Sequence, residues 1–329
     1  MAKYIRSCNP NAITLNSPVT SISYRNTAGN KGIDVTTSND DEIKQFTHVI
    51  STIPLPVLRT IDLSAAGLDP MQSNALRELN YGPSIKVGIQ FKEAWWFTKF
   101  QIVGGQSYTD RPIRTIVYPS FGDVEDGMTT TLIASYCRTE DASRMGALID
   151  DKDGDGRLKE LVLRDLADIH DLTVDCLREQ LIECKAWSWS HDPYTMGKCF
   201  SLHSCLNLST PNTYGLFFLG AFAFFGPGKF QDPYLSLNTP AANGFLHFAG
   251  EAISVRHAWV EGALDSAWRA VREMLYFPGF THAQRTTFFK NWGVNEEWID
   301  QCEPGEVPKA EHDLLLKHLA HRKPELFRH

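Results

Sequence analysis

The stretch "HFAGEAISVRHAWVEGALDSA", residues 247–267, gathers residue types that could hold a polar cofactor. The apolar run "FLHFAG" ends in Gly250, and Glu251 follows directly. A glycine there removes the Cβ where a ligand must approach the backbone, and the carboxylate offers an acceptor to sugar-type hydroxyls. A short polar link then leads to Trp259 and to a helix that starts near Val260. The first N–H groups of a helix are unpaired and carry the positive end of its dipole, which stabilises negative charge developing on a bound ring. The same layout also suits an ordinary strand-to-helix connection, and the pattern alone leaves both readings open.

Other candidates sit on other elements. "SIKVGIQF" alternates strictly, with Ile85, Val87, Ile89 and Phe91 on one face and Lys86, Gly88 and Gln90 on the other. Lys86 is either a solvated lysine or a cation facing a site, since a strand after a crossover is usually central. Tyr194 follows Asp192-Pro193 and reads as a rim tyrosine in a turn or as a substrate contact. Trp259 lies off the stripe of Leu264 and Trp268, so it is either filler or faces something other than the core.

Three further motifs carry less. "DKDGDGRLKELV", residues 151–162, imitates a calcium loop, but the twelfth place, which needs a bidentate glutamate, is Val162. Asn207 begins a glycosylation sequon by spelling, with nothing to direct the chain to secretion. Of His312, His318 and His321, only the last two share a helix face, and no metal is expected.

Composition bounds the function. The 329 residues are 43% apolar with a formal net charge of −7, enough for a substantial core and without a basic face for nucleic acid or a membrane. No apolar stretch reaches the length of a membrane span, and "MAKYIRSCNP" lacks a secretory apolar core. Seven cysteines without CxxC spacing fit reduced thiols, so a soluble, cytoplasmic chain is the default expectation.

The elements that would position these residues follow from periodicity. A β meander is expected over residues 11–53, in "AITL", "VTSISY", "GIDVTT" and "THVISTI", with turn chemistry in "NTAGNKG". A helix is expected over "DPMQSNALREL", capped by Asp69 with Pro70 at its first position. Strands follow at "SIKVGIQF", "IRTIVY", "TTTLIASYC", "ECKAWSWS", "YGLFFLGAF" and "FLHFAG", and a helical period opens residues 157–180. The closing helix, about Val260 to Leu275, carries Leu264, Trp268, Val271 and Leu275 on one stripe. The elements near residues 11–53 and 245–275 are expected to share one sheet, with a second domain inserted between them.

"HFAGEAISVRHAWVEGALDSAWRA" resembles the C-terminal flavin-binding segment of the flavin amine oxidase superfamily. Within it the chain most resembles the L-amino-acid oxidases, whose matching segment has histidine, a small residue, tryptophan and an aliphatic residue in a row. "THVISTIPLPVLRTI…LRELNYGPSIKVGIQF" and "WSWSHDPYTMG" extend the resemblance over residues 11 to about 276. It implies an α/β, mixed α+β fold: a partial, Rossmann-like FAD-binding domain formed by both ends of the chain, with an inserted substrate domain on a mixed sheet with helices. The expected boundaries are residues 1–55 for the second part of the FAD-binding domain, 56–239 for the substrate domain, 240–276 for the last FAD-binding strand and helix, and 277–329 for a helical extension.

The resemblance also implies roles. Gly250 and Glu251 would lie against the cofactor, with Glu251 accepting a hydrogen bond from the ribityl region or its neighbour. The Val260 N–H would face the pyrimidine end of the flavin ring, and Val19 would pair its backbone with adenine. Trp259 would wall the ring, the Ala258 carbonyl would receive the substrate amino group, and Tyr194 would help hold the substrate carboxylate. Lys86 would hold a water against the flavin nitrogen that takes the hydride. Trp259, where polyamine and monoamine oxidases usually place tyrosine, favours an amino acid substrate.

The superfamily's opening strand–GxGxxG–helix, which cradles the pyrophosphate, has no counterpart here; the glycines of "VGGQ" do not follow that layout. The expectation is therefore the C-terminal portion of an FAD-dependent L-amino-acid oxidase, using molecular oxygen and inactive without an N-terminal half, which a separate fragment could supply. A homodimer also fits. The competing readings are a polyamine- or monoamine-type oxidase fragment and a non-catalytic remnant that only binds.

Overall fold

The computed structural model describes residues 1–121, 129–149, 156–195, 220–228, 230–277, 280–300, 302 and 306–324. The chain divides into two units, residues 1–79 with 224–329, and residues 80–223. The first unit opens with helix α1 (Ala2–Cys8) and three strands, β1 (Val19–Thr27), β2 (Asn30–Thr37) and β3 (Asp40–Phe46), in one antiparallel sheet. Gly29, at φ +78°, makes the tight turn between β1 and β2. Strand β4 (Val49–Ser51) follows, and Pro54 caps the short helix α2 (Leu55–Leu58) instead of continuing the ladder. Helix α3 (Pro70–Glu78) begins as its sequence predicts. The Asp69 carboxylate accepts from the Gln72 N–H at 2.8 Å, and the Gln72 side chain accepts from the Asp69 N–H at 3.0 Å.

The second unit contains β5 (Asn80–Gly82), β6 (Ser84–Phe91), α4 (Trp95–Thr98), β7 (Gln106–Tyr108), β8 (Thr115–Val117), β9 (Thr131–Arg138), α5 (Thr139–Gly146), α6 (Gly156–Ile169), α7 (Val174–Gln180), β10 (Leu181–Ser188) and β11 (Phe222–Phe224). Its main sheet has the order β10-β6-β9-β8-β7 and is antiparallel in every pair. The mixture of strand directions belongs to the chain as a whole, not to this sheet. β6 lies inside it, and the alternation holds: Ile85, Val87, Ile89 and Phe91 are fully buried. They join one core with Trp95, Trp96, Ile116 and the inner face of α6, Leu158, Val162, Leu163 and Leu166.

The chain re-enters the first unit through α8 (Gln231–Leu237), β12 (Leu246–Phe248), α9 (Val260–Tyr276), α10 (His282–Trp292) and α11 (Leu314–Arg322). β12 runs parallel to β4, pairing Leu246 with Val49 and Phe248 with Ser51.

Several expectations change. "AITL" is not a strand: Leu15 is exposed, and the neighbouring ladder is filled by β1, β2 and β3. β3 has no apolar alternation and is recruited by pairing, Ile33 with Phe46 and Val35 with Lys44. Of the early strands only β4 shares a sheet with residues 245–275. Leu264 is 56% exposed, and the buried face of α9 is instead Gly262, Ser266, Arg269, Ala270, Arg272, Glu273 and Leu275. "YGLFFLGAF" falls mostly outside the described residues, as do Asp151, Asp153, Asp155 and Asn207. Among the described residues no group of three ligand-type side chains could hold a metal, and no helix is long and apolar enough to cross a membrane.

Two histidines tie this unit together by staying neutral. Burial, with His247 nearby, lowers the pKa of His48 from 6.5 to about 4. Burial above all lowers that of His318 on α11 to about 4, where its ring meets the Thr239 hydroxyl at 3.0 Å and the Asn238 carbonyl at 3.2 Å. Below pH 6.5 the unfolded chain takes up protons at both rings while the folded chain does not, so stability falls as pH drops from 7 toward 4. Urea denaturation should give a lower midpoint at pH 5 than at pH 7. A His48→Asn, His318→Gln double variant should narrow that difference.

Candidate cofactor and substrate site

In the first unit, Gly250, Glu251, Ala258, Trp259 and Val260 come together in one turn between β12 and α9. Gly250 takes φ +147°, which side chains rarely adopt, and the space its Cβ would enter is open. Its N–H donates to the Ser266 hydroxyl at 2.7 Å, and that hydroxyl donates to the Ala263 carbonyl at 2.8 Å. The turn is thus fastened to the second turn of α9. Glu251 closes the loop from inside: one carboxylate oxygen accepts from the Ala258 N–H at 2.9 Å. Ala258 sits at φ +65°, a left-handed conformation that a non-glycine residue holds only where its surroundings enforce it. Trp259 caps α9 without a side-chain hydrogen bond and is 68% exposed, and Val260 is 78% exposed.

Charge deeper in this unit holds the strand end. The Arg269 guanidinium donates to the Phe248 carbonyl at 2.5 Å and pairs with the Glu273 carboxylate one helical turn on. Glu273 also accepts from the His247 Nδ1–H at 3.0 Å, and His247 meets His48 at 3.4 Å. Arg269, Glu273 and His247 are fully buried, and each leans on the others for its missing solvation. The helix's first turn crosses close to the loop, since a Cβ on Gly262 would stand 2.2 Å from the Arg256 carbonyl oxygen.

The remaining candidates lie elsewhere. Val19 is at the start of β1, paired with Thr37 in the separate three-stranded sheet. Lys86 and Tyr194 belong to the second unit. Lys86 projects from the polar face of β6, in register with Tyr136 and Trp187 on the flanking strands, its ammonium 5.0 Å from the Tyr136 ring centre. The Arg138 guanidinium also packs on Tyr136, at 5.1 Å, and on Phe222, at 5.5 Å. Cations over aromatic faces make this an electropositive, aromatic surface. Tyr194 is 82% exposed in a single 3₁₀ turn, its N–H held by the Asp192 carboxylate at 2.7 Å.

Ser266, Arg269, Glu273 and Gly262 were missed by the sequence reading. Their signals were present: Arg269 and Glu273 stand at i, i+4, and a glycine inside a helix marks a close backbone approach.

The flavin containing amine oxidoreductase family profile matches residues 1–275, and the chain belongs to that family. It is 48% identical to the L-amino-acid oxidase 4 of Hebeloma cylindrosporum, over 96% of this chain and 48% of that protein. It is 28% identical to the L-amino-acid oxidase of Mus musculus, over 91% of this chain and 41% of that one. The chain therefore spans about half the length, or less, of these relatives. Its fold is similar to a putrescine oxidase redesigned in cofactor binding, at TM-score 0.59 and 16% identity, covering 83% of this chain and 51% of that one. It is also similar to the cyclohexylamine oxidase of Brevibacterium oxydans IH-35A, at TM-score 0.57 and 14% identity, covering 82% and 49%.

Family membership implies a flavin, and the residues of this turn are compatible with a flat, polar group of that kind. An open, side-chain-free position at Gly250, an exposed aromatic at Trp259 and a helix start without a side-chain cap surround one turn. Removing the hydroxyl that fixes this turn should be measurable without any ligand. Ser266→Ala leaves the Gly250 N–H without its partner and should lower stability by about 1–3 kcal/mol in urea denaturation.

Proposed function

We propose that this chain supplies the ring-facing part of the flavin site and the substrate-binding portion of an FAD-dependent L-amino-acid oxidase. Residues 1–55 and 240–276 would serve the dinucleotide, and residues 56–239 the substrate. The observation that carries the reading is the braced turn from Gly250 to Val260, which holds Trp259 exposed at a helix start. A flavin held here would supply the two-electron chemistry: the substrate would lose hydride and a proton to become an imino acid, oxygen would take up both as hydrogen peroxide, and water would convert the imino acid to 2-oxo acid and ammonia.

The chain's own groups would do the orienting. The Val260 N–H and the α9 dipole favour negative charge at the ring, and Trp259 walls it. The Ala258 carbonyl would receive the substrate ammonium, and Tyr194 its carboxylate. Glu251, which holds the Ala258 N–H, would accept from a ribityl hydroxyl. Lys86 would hold a water near the ring from its electropositive aromatic surface. Val19 would meet adenine through its backbone. With geometry supplied in this way, orientation carries most of the rate.

The test is to co-express the chain with the part of the Hebeloma relative that it does not match. Flavin content after desalting and peroxide release with L-amino acids, and with diamines, are then measured. Retained flavin with amino acid turnover is expected; turnover of diamines alone would replace the reading with a polyamine-type oxidase. Tyr194→Phe should raise KM for amino acids about tenfold or more, the value of one hydroxyl bond to a charged group, while amines without a carboxylate are spared.

Lys86→Met should slow reoxidation by oxygen on the order of a hundredfold, with reduction by substrate changed far less. Stopped-flow measurement of both half-reactions decides it, and equal losses would remove the assignment.

A further inference from the structure

The chain beyond residue 275 lies outside the family match, yet a match over 96% of the chain to the Hebeloma relative necessarily includes most of it. This extension is anchored at depth. Asp313 makes a buried ion pair with Arg272 at 2.8 Å and accepts from the Tyr276 hydroxyl. Leu315 and Leu319 pack with Trp298 and Tyr234. Upstream of Asp313, Asn295 reaches α9 and Glu297 reaches the loop described above.

Asn295 is buried and donates through Nδ2 to the Asp265 carbonyl at 3.1 Å, while Asp265 holds Arg256 at 2.6 Å. The Glu297 carboxylate accepts from the Tyr234 hydroxyl and, at 3.2 Å, from the Ser254 hydroxyl. That hydroxyl in turn accepts from the Arg256 N–H at 3.1 Å. The result is a directed chain, backbone N–H to hydroxyl to carboxylate, and the charge at its end strengthens each link. Ser254 itself is fully buried, so the hydroxyl has no water to fall back on.

Trp259 gains little from its own contacts, being largely exposed, and Ala258 beside it is held in a left-handed conformation. Such a conformation persists only where the surroundings over-determine it. Besides its ties to α9, the loop is restrained by Glu251 from within and by Glu297 from the extension, and Asn295 holds Glu297 in place by accepting its N–H at 2.9 Å. We infer that Asn295 and Glu297 are positioning residues, which brace the loop from Glu251 to Trp259 and so fix where the Ala258 carbonyl and the Trp259 ring stand. The bracing rests on these bonds alone; its importance for substrate rests on the function proposed above.

Hydrogen exchange on the full chain, followed by mass spectrometry of peptides spanning residues 251–259, reads the brace without cofactor or activity. Glu297→Ala should speed exchange in those peptides by about tenfold or more, the size expected when a charged hydrogen-bond acceptor is lost. α9 and β12 should keep their protection. Glu297→Gln, which can still accept from Ser254 and donate to the Tyr234 oxygen, should restore most of it. Glu296→Ala, at the exposed neighbouring position, should change nothing.

Ser254→Ala leaves the carboxylate and its Tyr234 bond in place and should give the same local loss, even if Glu297→Ala does not fold. Unchanged exchange in the loop, or equal acceleration throughout the unit, overturns the proposal. In the co-expressed protein, offered flavin, the two claims separate. A loosened loop in a protein that never takes flavin upholds the brace and removes the function; retained flavin with an indifferent loop does the reverse.

Discussion

The Arg269 guanidinium and the Glu273 carboxylate, one helical turn apart and fully buried, cannot be left without partners. Their satisfaction dictates much of the first unit. The Phe248 carbonyl must end its strand where Arg269 reaches it, and His247 must turn Nδ1 toward Glu273. The turn that follows β12 is fastened to the same helix face, where Ser266 receives the Gly250 N–H. Farther along α9, Arg272 makes the same demand on Asp313, and that draws the C-terminal segment onto the helix. Breaking a buried pair by removing one partner typically costs about 3–5 kcal/mol, a large share of a domain's stability.

This explains which parts of the fold were legible in the sequence. The alternation of Ile85, Val87, Ile89 and Phe91, the Asp69-Pro70 helix start and the Gly250-Glu251 turn each follow from local chemistry, and each stands in the structure where its residues place it. The inner face of α9 did not follow. Of the apolar stripe Leu264, Trp268, Val271 and Leu275, the last three pack against α10 while Leu264 faces outward, and a second, charged side of the helix is buried as well. Periodicity counts apolar residues and cannot anticipate that a buried face will be built from ion pairs. The same blindness affects β3, whose place comes from its hairpin partner and not from its own residues.

For the candidate site, the residues of the turn were readable, but the groups that hold them were not. Glu251 was legible as an acceptor, and its bond to the Ala258 N–H depends on a backbone conformation no propensity predicts. The surface around Lys86 shows a milder version. Its strand and face were clear from alternation, whereas Tyr136 and Trp187 become its neighbours only through strand register.

The parallel pairing of β12 with β4 has a consequence for how the chain is made. His247 and His48 meet although 199 residues separate them in sequence. At roughly 5–20 residues per second on the ribosome, the intervening chain takes on the order of 10–40 s to appear. The early hairpins of β1, β2 and β3 can close at once from local contacts, while β4 waits with an open edge for its partner. A nascent chain in this interval presents a strand edge and an unfinished core to its surroundings, so its yield in a cell depends on protection during synthesis as well as on the stability of the finished fold.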